Sequence, residues 1–449
     1  MEAIRVQAKF CVVAPDRLLH PAQVLIRYGR VVEVVQGQPC KADVDLGEML
    51  LLPGLINAHT HLEFSGLQRP LAAGDNFPAW ISQVVRARAA QLDETQGLQR
   101  ALHAGLRQAF GGGTAVLGDI VSAPWMPPDY PDAQGFAHAF AHELSNAALQ
   151  VHAAVNATEH GWGHLTEADW RAHICPISYP RVLPFTELIG MSEARATANW
   201  QWSQAARASQ GSELAIGHGV SPHAPYSVHF PSILTACSSL PAATPIAMHL
   251  AESRDELQWV EQGQGAFGEA FERLGLHCEV APPTIDACIE LLSRFDHALL
   301  IHGNYLTQAQ IARIAATPNI SLVYCPRTHS HFHHAPYPLQ AMRDAGVRVV
   351  LGTDSRASNP SLSLWDEVQH ASCHHPQREP SEWLGSVTLD AARALGISRD
   401  FGSLQVGRWA TAVAIPTRAD WTTKNLVEAL CACRAEELHM QPLAQLFAR

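Results

Sequence analysis

Apolar runs of five to seven residues, bounded by turn residues, recur along this chain and alternate with longer stretches of helical period. The runs occupy residues 51–56, 114–120, 181–185, 214–220, 245–250, 298–302, 320–325 and 347–352. Runs this short and this uniformly apolar read as strands buried on both faces. Between them, 79–110, 192–210, 253–274 and 307–317 carry helical spacing, and Gly111-Gly112-Gly113 suits the end of the first. Eight strands alternating with helices make the pattern of a parallel βα barrel, and equally of a doubly wound open sheet. Periodicity alone does not choose between them.

The two ends of the chain look different. Residues 3–13, 23–27 and 31–35 read as short strands, with turn signals at Pro15-Asp16 and Tyr28-Gly29-Arg30. Residues 402–416 repeat that pattern, a glycine turn followed by a strand. The ends are expected to pair into one small β domain, because chain termini often lie close together. Residues 124–180 hold several Pro, Trp and His and one helical stretch near 137–148; they read as an insertion in a loop.

Composition narrows the class. Of 449 residues, 47% are hydrophobic and 16% charged, the latter low against the ~25% usual for soluble domains, so much of the chain is buried. The net charge of −11, without a Lys/Arg block, argues against a nucleic-acid polymer or an anionic membrane as partner. Ten scattered cysteines without a Cys-x-x-Cys read as reduced thiols. No run approaches the ~20 apolar residues of a membrane span, and the start, MEAIRVQAKFCVV, lacks a signal pattern. The expectation is a cytoplasmic protein acting on a small molecule; a homodimer is compatible with the sequence.

Twenty-five histidines turn attention to metal or proton chemistry, and their positions matter more than their number. Barrel active sites lie at the C-terminal ends of the strands. The first strand runs into His59-Thr60-His61, the fourth into His223, the fifth into His249 and Glu252, the sixth into His302, the eighth into Asp354. Side chains two apart on a strand share a face, so His59 and His61 project together. Each residue alone has a plainer reading. His249 could be a hydrogen-bonded core histidine, Asp354 a helix N-cap, and Glu252 the acidic start of a helix. Five strand ends carrying such groups in one chain are harder to explain that way.

The segments PGLINAHTHLE, HLAES, LIHGN and GTDS resemble, in order, the signature segments of the amidohydrolase superfamily. Within it they are similar to the branch of cytosine, guanine and S-adenosylhomocysteine deaminases and triazine chlorohydrolases. The resemblance runs from about residue 31 to 416. It implies an α/β fold, a distorted (β/α)8 TIM barrel, with a small β-sandwich formed by the N- and C-terminal segments. The expected division is 1–52 and 401–449 for the sandwich, the latter with a C-terminal helix, and 53–400 for the barrel.

Carried over position by position, the resemblance implies metal ligands His59, His61, His249 and Asp354, a proton-shuttling Glu252, and a water-orienting His302. His223 would contact substrate. The binuclear members' bridging lysine has no counterpart in 215–226, so one divalent metal ion is expected, zinc first, with Fe2+ or Mn2+ as alternatives. The implied activity is deamination of an aminated purine- or pyrimidine-like heterocycle or modified nucleoside. Glu252 leans away from chlorohydrolysis, since chloride leaves without a proton. Hydrolysis of another C–N or C–Cl bond, as by a chlorohydrolase or cyclic amidase, and a non-catalytic relative of the fold are the alternatives.

Two regions depart from the family. After strand seven the chain reads Cys325-Pro326-Arg327-Thr328-His329, which makes Arg327 and His329 candidate substrate contacts, or a packed loop with solvated histidines. The His329–His334 tract could hold an adventitious ion. The helical region after strand one, from Trp80 to Arg88, lacks the glutamate of nucleoside-handling members; Trp80 is its candidate substrate contact. Gly263-Gln264-Gly265-Ala266-Phe267-Gly268 matches G-x-G-x-x-G but follows a helical run, the wrong context for a dinucleotide site.

Overall fold

The computed structural model describes residues 3–93, 97–122, 180–208, 214–276 and 278–446, together with His173 and Ile177. The expected helix at 137–148 and most of the 124–180 insertion lie outside the described residues.

The chain opens with β1 (Ile4–Ala8), β2 (Phe10–Ala14), β3 (Arg17–Leu19), β4 (Ala22–Arg27), β5 (Arg30–Gln36), β6 (Val44–Asp45) and β7 (Met49–Pro53). The barrel strands follow: β8 (Leu55–His61), β9 (Thr114–Val121), β10 (Arg181–Leu188), β11 (Gly219–Pro222), β12 (Ile246–Leu250), β13 (Ala298–His302), β14 (Ile320–Tyr324), β15 (Val349–Leu351) and β16 (Asp354–Ser355). The chain returns with β17 (Ala412–Pro416) and β18 (Gln441–Pro442).

The barrel sheet has the order β15-β14-β13-β12-β11-β10-β9-β8-β16. All its pairings are parallel, which requires helical crossovers. β15 and β16 are two pieces of one eighth strand, bent at Gly352-Thr353. The second piece pairs with the first barrel strand, Asp354 opposite Thr60, and so closes the barrel. A Cβ on Gly352 would sit 2.9 Å from the carbonyl oxygen of His59, so the approach of strand eight to strand one requires glycine there. Asn57 ties the same seam, donating from Nδ2 to Thr353 Oγ1 at 2.7 Å and accepting from the Thr353 amide at 3.2 Å.

Strand two approaches strand one as closely. A Cβ on Gly118 would lie 2.5 Å from the backbone oxygen of Ala58. Gly118→Ala is therefore expected to lower the unfolding free energy by about 1–3 kcal/mol. A urea titration reads this, and an unchanged midpoint would contradict the packing.

At the chain ends, β17 pairs antiparallel with β7, Val413 opposite Leu52, so the late segment completes a sheet begun by the early one. A second sheet, β5-β4-β1-β6, faces it. Ile4, Val6, Val24 and Ile26 of one sheet bury against Cys11, Val13, Leu51 and Ala414 of the other. This is a small β-sandwich against a (β/α)8 barrel.

Several boundaries differ from expectation. The long helical run after strand one is two helices, α1 (Phe77–Asp93) and α2 (Gly97–Gly111). Residues 253–274 also split, into Arg254–Gln262 and Ala266–Arg273. The glycines of the G-x-G-x-x-G match make that break: Gly263 and Gly265 have φ of 63° and 93°, a left-handed helix stop and the turn after it. The fourth strand begins at Gly219 instead of 214. Among the described residues, no helix is long and apolar enough to cross a membrane.

Candidate metal centre and substrate cavity

The alternation of β8 places His59 and His61 on one face of its C-terminal end. Their rings meet edge to face at 4.9 Å between centroids. The His249 ring, at the end of β12, lies 5.0 Å from that of His59 and 5.4 Å from that of His61. Asp354 enters from the bent eighth strand, with Oδ1 3.5 Å from His59 Nε2 and 3.7 Å from His61 Nε2. Ligand atoms of His59, His61 and Asp354 lie within 4.8 Å of one another, as do those of His59, His249 and His302 and those of Glu252, His302 and Asp354. Residues as far apart in sequence as His59 and Asp354 thus converge because the closed barrel gathers the C-terminal ends of its strands around one axis.

Backbone strain gathers at the same place. Ala251, His302 and Asp354 have φ of 53°, 70° and 55°. Left-handed conformations of non-glycine residues cost roughly 1–3 kcal/mol each and persist where the surroundings hold them. Here the holding contacts are visible. Tyr337 donates its hydroxyl to the His302 carbonyl at 2.9 Å. Glu256 accepts the amides of Ala251 and Glu252 at 2.9 and 2.7 Å. Asn304 donates to the Glu252 carbonyl at 2.9 Å.

Burial sets the protonation of the cluster. It holds His59, His61 and His302 well below the ordinary imidazole range and pushes His223 and His249 down to about 4. Neutral imidazoles are the metal-binding form. The Nδ1 of His249 faces the carbonyl of His223 at 3.0 Å. A carbonyl only accepts, so Nδ1 carries the hydrogen and Nε2 keeps its lone pair. The buried Nε2 of His59 has no hydrogen-bond partner. Asp354 Oδ2 accepts from Ser358 at 2.9 Å, which leaves Oδ1 for the centre. Three neutral imidazoles and one carboxylate oxygen, with an unpartnered buried nitrogen among them, fit a divalent ion. Removing the support in Ser358→Ala is expected to weaken metal affinity or activity about 10–100-fold; a chelator competition titration measures it, and wild-type affinity would discount that contact.

Glu252 stands beside this group, its Oε1 3.4 Å from His302 Nε2. Burial raises its carboxyl well above the usual range, and the negative charges of Asp354 and Glu256 add to the effect. Both effects favour its protonated form, and the carboxyl stands within reach of the cluster.

A cavity of about 190 Å3 opens over these residues. Phe64, Phe77, Trp80 and Tyr226 form an aromatic wall, and Glu63, Ser122, Glu187 and His223 a polar one. Trp80 stacks on Phe77 at 5.5 Å and meets Phe332 edge-on at 4.9 Å.

Trp80 and His223 line the cavity, and Arg327 and His329 are not among its lining residues. Residues Pro326–His331 form a short helix against the helix Leu364–His374. Arg327 turns to that second helix, its Nη1 2.8 Å from Ser361 Oγ and 3.3 Å from Asp366 Oδ2. His329 Nε2 donates to the Ala335 carbonyl at 2.9 Å. The acids of the Leu364–His374 first turn, far away in sequence, capture the arginine. Nor does the His329–His334 tract supply any of the converging ligand groups among the described residues.

Sequence reasoning missed Glu63, Ser122, Glu187, Glu256 and Ser358. Two of these carried a local signal: Glu63 closes the quoted segment PGLINAHTHLE, and Ser253-x-x-Glu256 is a capping-box spacing, with Ser253 Oγ accepting from the Glu256 amide at 3.1 Å. The helical region from Trp80 to Arg88 holds no acid, and Glu63 and Glu187 bring carboxylates to the cavity from other elements.

Comparison with known proteins agrees with this architecture. The chain is 27% identical over 426 residues to a 5-methylthioadenosine/S-adenosylhomocysteine deaminase of Syntrophobacter fumaroxidans, covering 90% of this chain and 82% of the relative. The structure of Helicobacter pylori aminofutalosine deaminase in complex with methylthio-coformycin superimposes with a TM-score of 0.73 at 20% identity, covering 98% of this chain and 97% of that one. An adenosine deaminase from Xanthomonas campestris with bound zinc matches with a TM-score of 0.67 at 20% identity, over 97% and 90% of the two chains. The model of the amidohydrolase family matches residues 50–433. Spanning the whole barrel and the returning strand of the sandwich, that match shows that the chain belongs to the amidohydrolase family.

Proposed function

We propose that this chain is a mononuclear metal-dependent aminohydrolase that exchanges the amino group of a purine-like ring, carried in a nucleoside-type substrate, for oxygen and releases ammonia. The observation that carries the reading is Glu252, a buried carboxyl 3.4 Å from His302 Nε2 and beside the four-ligand cluster, whose burial and acidic neighbours favour its protonated form. An amine leaves as ammonia only after gaining a proton, and Glu252 has one to give. The deaminases among the relatives support the same reaction class.

His59, His61, His249 and Asp354 would hold the ion. When bound, a divalent metal there supplies an activated water, its pKa lowered from about 15.7 toward ~7. Zinc is proposed, in line with the donor set and the zinc-bound relative, with iron or manganese as alternatives. The absence of lysine from residues 215–226 supports a single ion.

The residues divide the remaining work. His302 orients the attacking water toward the amino-bearing carbon. Asp354 takes the proton that the water loses. Glu252 protonates the neighbouring ring nitrogen, and the carbon becomes tetrahedral. The proton held on Asp354 then passes to the amine, the hydroxyl on the tetrahedral carbon returns its proton to Glu252, and the C–N bond breaks, so that ammonia departs as the ring carbonyl forms. Trp80 and Phe77 offer a stacking surface for the ring, and His223 a polar contact. Residues 1–52 and 401–449 would form the supporting sandwich and 53–400 the catalytic barrel. The described cysteines are all free thiols, which suits the reducing cytoplasm.

Ammonia release by metal-replete protein from adenosine, 5′-methylthioadenosine, S-adenosylhomocysteine, guanine and cytosine tests the reading. Turnover of at least one purine nucleoside is expected. No release from any of the five would overturn it.

A further inference from the structure

The helix Leu364–His374 carries a second acid in its first turn, one that the chemistry above does not use. Glu367 is fully buried, at 0% exposed. Both of its oxygens accept hydrogen bonds. Oε1 takes Asn359 Nδ2 at 2.6 Å, and Oε2 takes the backbone amide of Arg327 at 2.9 Å. The two donors belong to different loops. Arg327 follows β14 and Asn359 follows β16, so one carboxyl ties the loop after the seventh strand to the loop after the eighth. Both loops lead to Asp354.

The first route runs through the backbone. Asn359 gives its other Nδ2 hydrogen to the Thr353 carbonyl at 2.7 Å. That carbonyl belongs to the peptide unit that enters Asp354, whose φ is 55°. Left-handed backbone in a non-glycine residue persists only where the surroundings hold it, and here the holding amide is itself oriented by Glu367. The second route runs through side chains. Asp354 Oδ2 accepts from Ser358 Oγ at 2.9 Å, and Thr328 Oγ1 lies 2.9 Å from that same hydroxyl. A hydroxyl has one hydrogen to donate. Ser358 gives its own to Asp354, so Thr328 is the donor to Ser358. Thr328 rides on the short helix Pro326–His331, whose second amide is the one that Glu367 accepts. Thr328, Thr353, Ser358 and Asn359 are each at most 1% exposed, so water does not compete for these bonds.

We propose that Glu367 is a positioning residue for Asp354, setting its backbone through Asn359 and its carboxylate through Thr328 and Ser358. The inference rests on the deaminase reading, in which Asp354 is ligand and proton acceptor, and adds to it a support from outside the cavity. A plainer role would be to balance the charge of Arg327. The Arg327 Nε lies 3.9 Å from Glu367 Oε1, beyond hydrogen-bonding distance, whereas its Nη1 reaches Ser361 Oγ at 2.8 Å and Asp366 Oδ2 at 3.3 Å. Asp366 therefore answers the guanidinium, and Glu367 answers the two N–H groups. An amide in place of the carboxyl keeps the volume but offers only one acceptor oxygen. In Glu367→Gln, one of the two routes must lose its anchor.

The test combines chelator competition for zinc with steady-state ammonia release on the same full-length preparations, so that one readout needs no turnover. Glu367→Gln is expected to weaken zinc binding about 10–100-fold and, at saturating zinc, to lower kcat by a similar factor with KM within about threefold of the parent. Asp366→Asn removes only the partner of the Arg327 side chain and should leave zinc affinity and kcat within about threefold. Thr328→Val keeps the shape, removes one hydroxyl and leaves the buried carboxyl alone. It should weaken zinc binding about three- to tenfold, the scale of one hydrogen bond. Equal losses in Glu367→Gln and Asp366→Asn would reduce Glu367 to a partner of Arg327 and overturn the proposal. So would parental zinc affinity in Glu367→Gln, or in Thr328→Val should the glutamine variant fail to fold. Ammonia release by a parent whose Glu367→Gln and Thr328→Val variants match it in zinc affinity and kcat sinks this inference alone. Weakened zinc binding in both variants of a parent that releases no ammonia sinks the deaminase reading alone.

Discussion

A Glu252→Gln variant is expected to turn over about 10²–10⁴-fold more slowly than the parent while retaining its metal. Glutamine keeps the shape and the contact with His302 but has no acidic proton. The amide of residue 252 still reaches Glu256 and its carbonyl still accepts from Asn304, so the strained loop after β12 should keep its form. Steady-state ammonia release and elemental analysis on one preparation separate the two quantities. A variant of near-parental rate would remove Glu252 from the chemistry. The pH profile provides a second reading. The protonated form is the active one, so the rate is full below the Glu252 pKa and declines as pH rises through it. Burial, Asp354 and Glu256 raise that pKa, while a cation at the centre pulls it down. The alkaline limb reports the balance, and it should vanish in the glutamine variant.

His249→Ala should do more, removing both metal and activity. The substitution takes away one of three imidazoles, while the His223 carbonyl keeps its bond from the backbone amide of residue 249 and loses only the Nδ1–H. Metal content is expected to fall from about one ion per chain to a small fraction of that. Stability offers a readout independent of turnover. A ligand that binds only the folded state adds about 4 kcal/mol at a thousandfold excess over its Kd. Zinc should therefore raise the parent's melting midpoint and leave that of the variant nearly unmoved. Full metal and full activity in His249→Ala would argue for a different ligand set.

What could be read from the sequence followed from periodicity and local chemistry. A strand alternates its side chains, so His59 and His61 had to share a face. Helical crossovers make strands parallel, so groups at strand ends, His249, His302 and Asp354 among them, had to gather at one end of the sheet. The pairing of the two chain ends followed from similar strand patterns. Closure was another matter. The eighth strand bends at Gly352 and Thr353 to reach Thr60, and no periodicity in the sequence marks a bend of that kind.

The walls of the cavity were decided by tertiary structure. Arg327 read as a substrate contact because it follows a strand end, but Asp366 in the first turn of the helix Leu364–His374 and Ser361 just before it hold the guanidinium. Glu63, Ser122 and Glu187 sit at the ends of three different strands, and although Glu63 closes a recognisable motif, nothing local marks it as a cavity wall. Their contacts exist only once β8, β9 and β10 lie side by side. The sequence by itself determined the type of element and the residues at its end, because those depend on neighbours two to four positions away. Which side chains face one another across the cavity depends on packing between segments tens to hundreds of residues apart, and only the folded chain decides that.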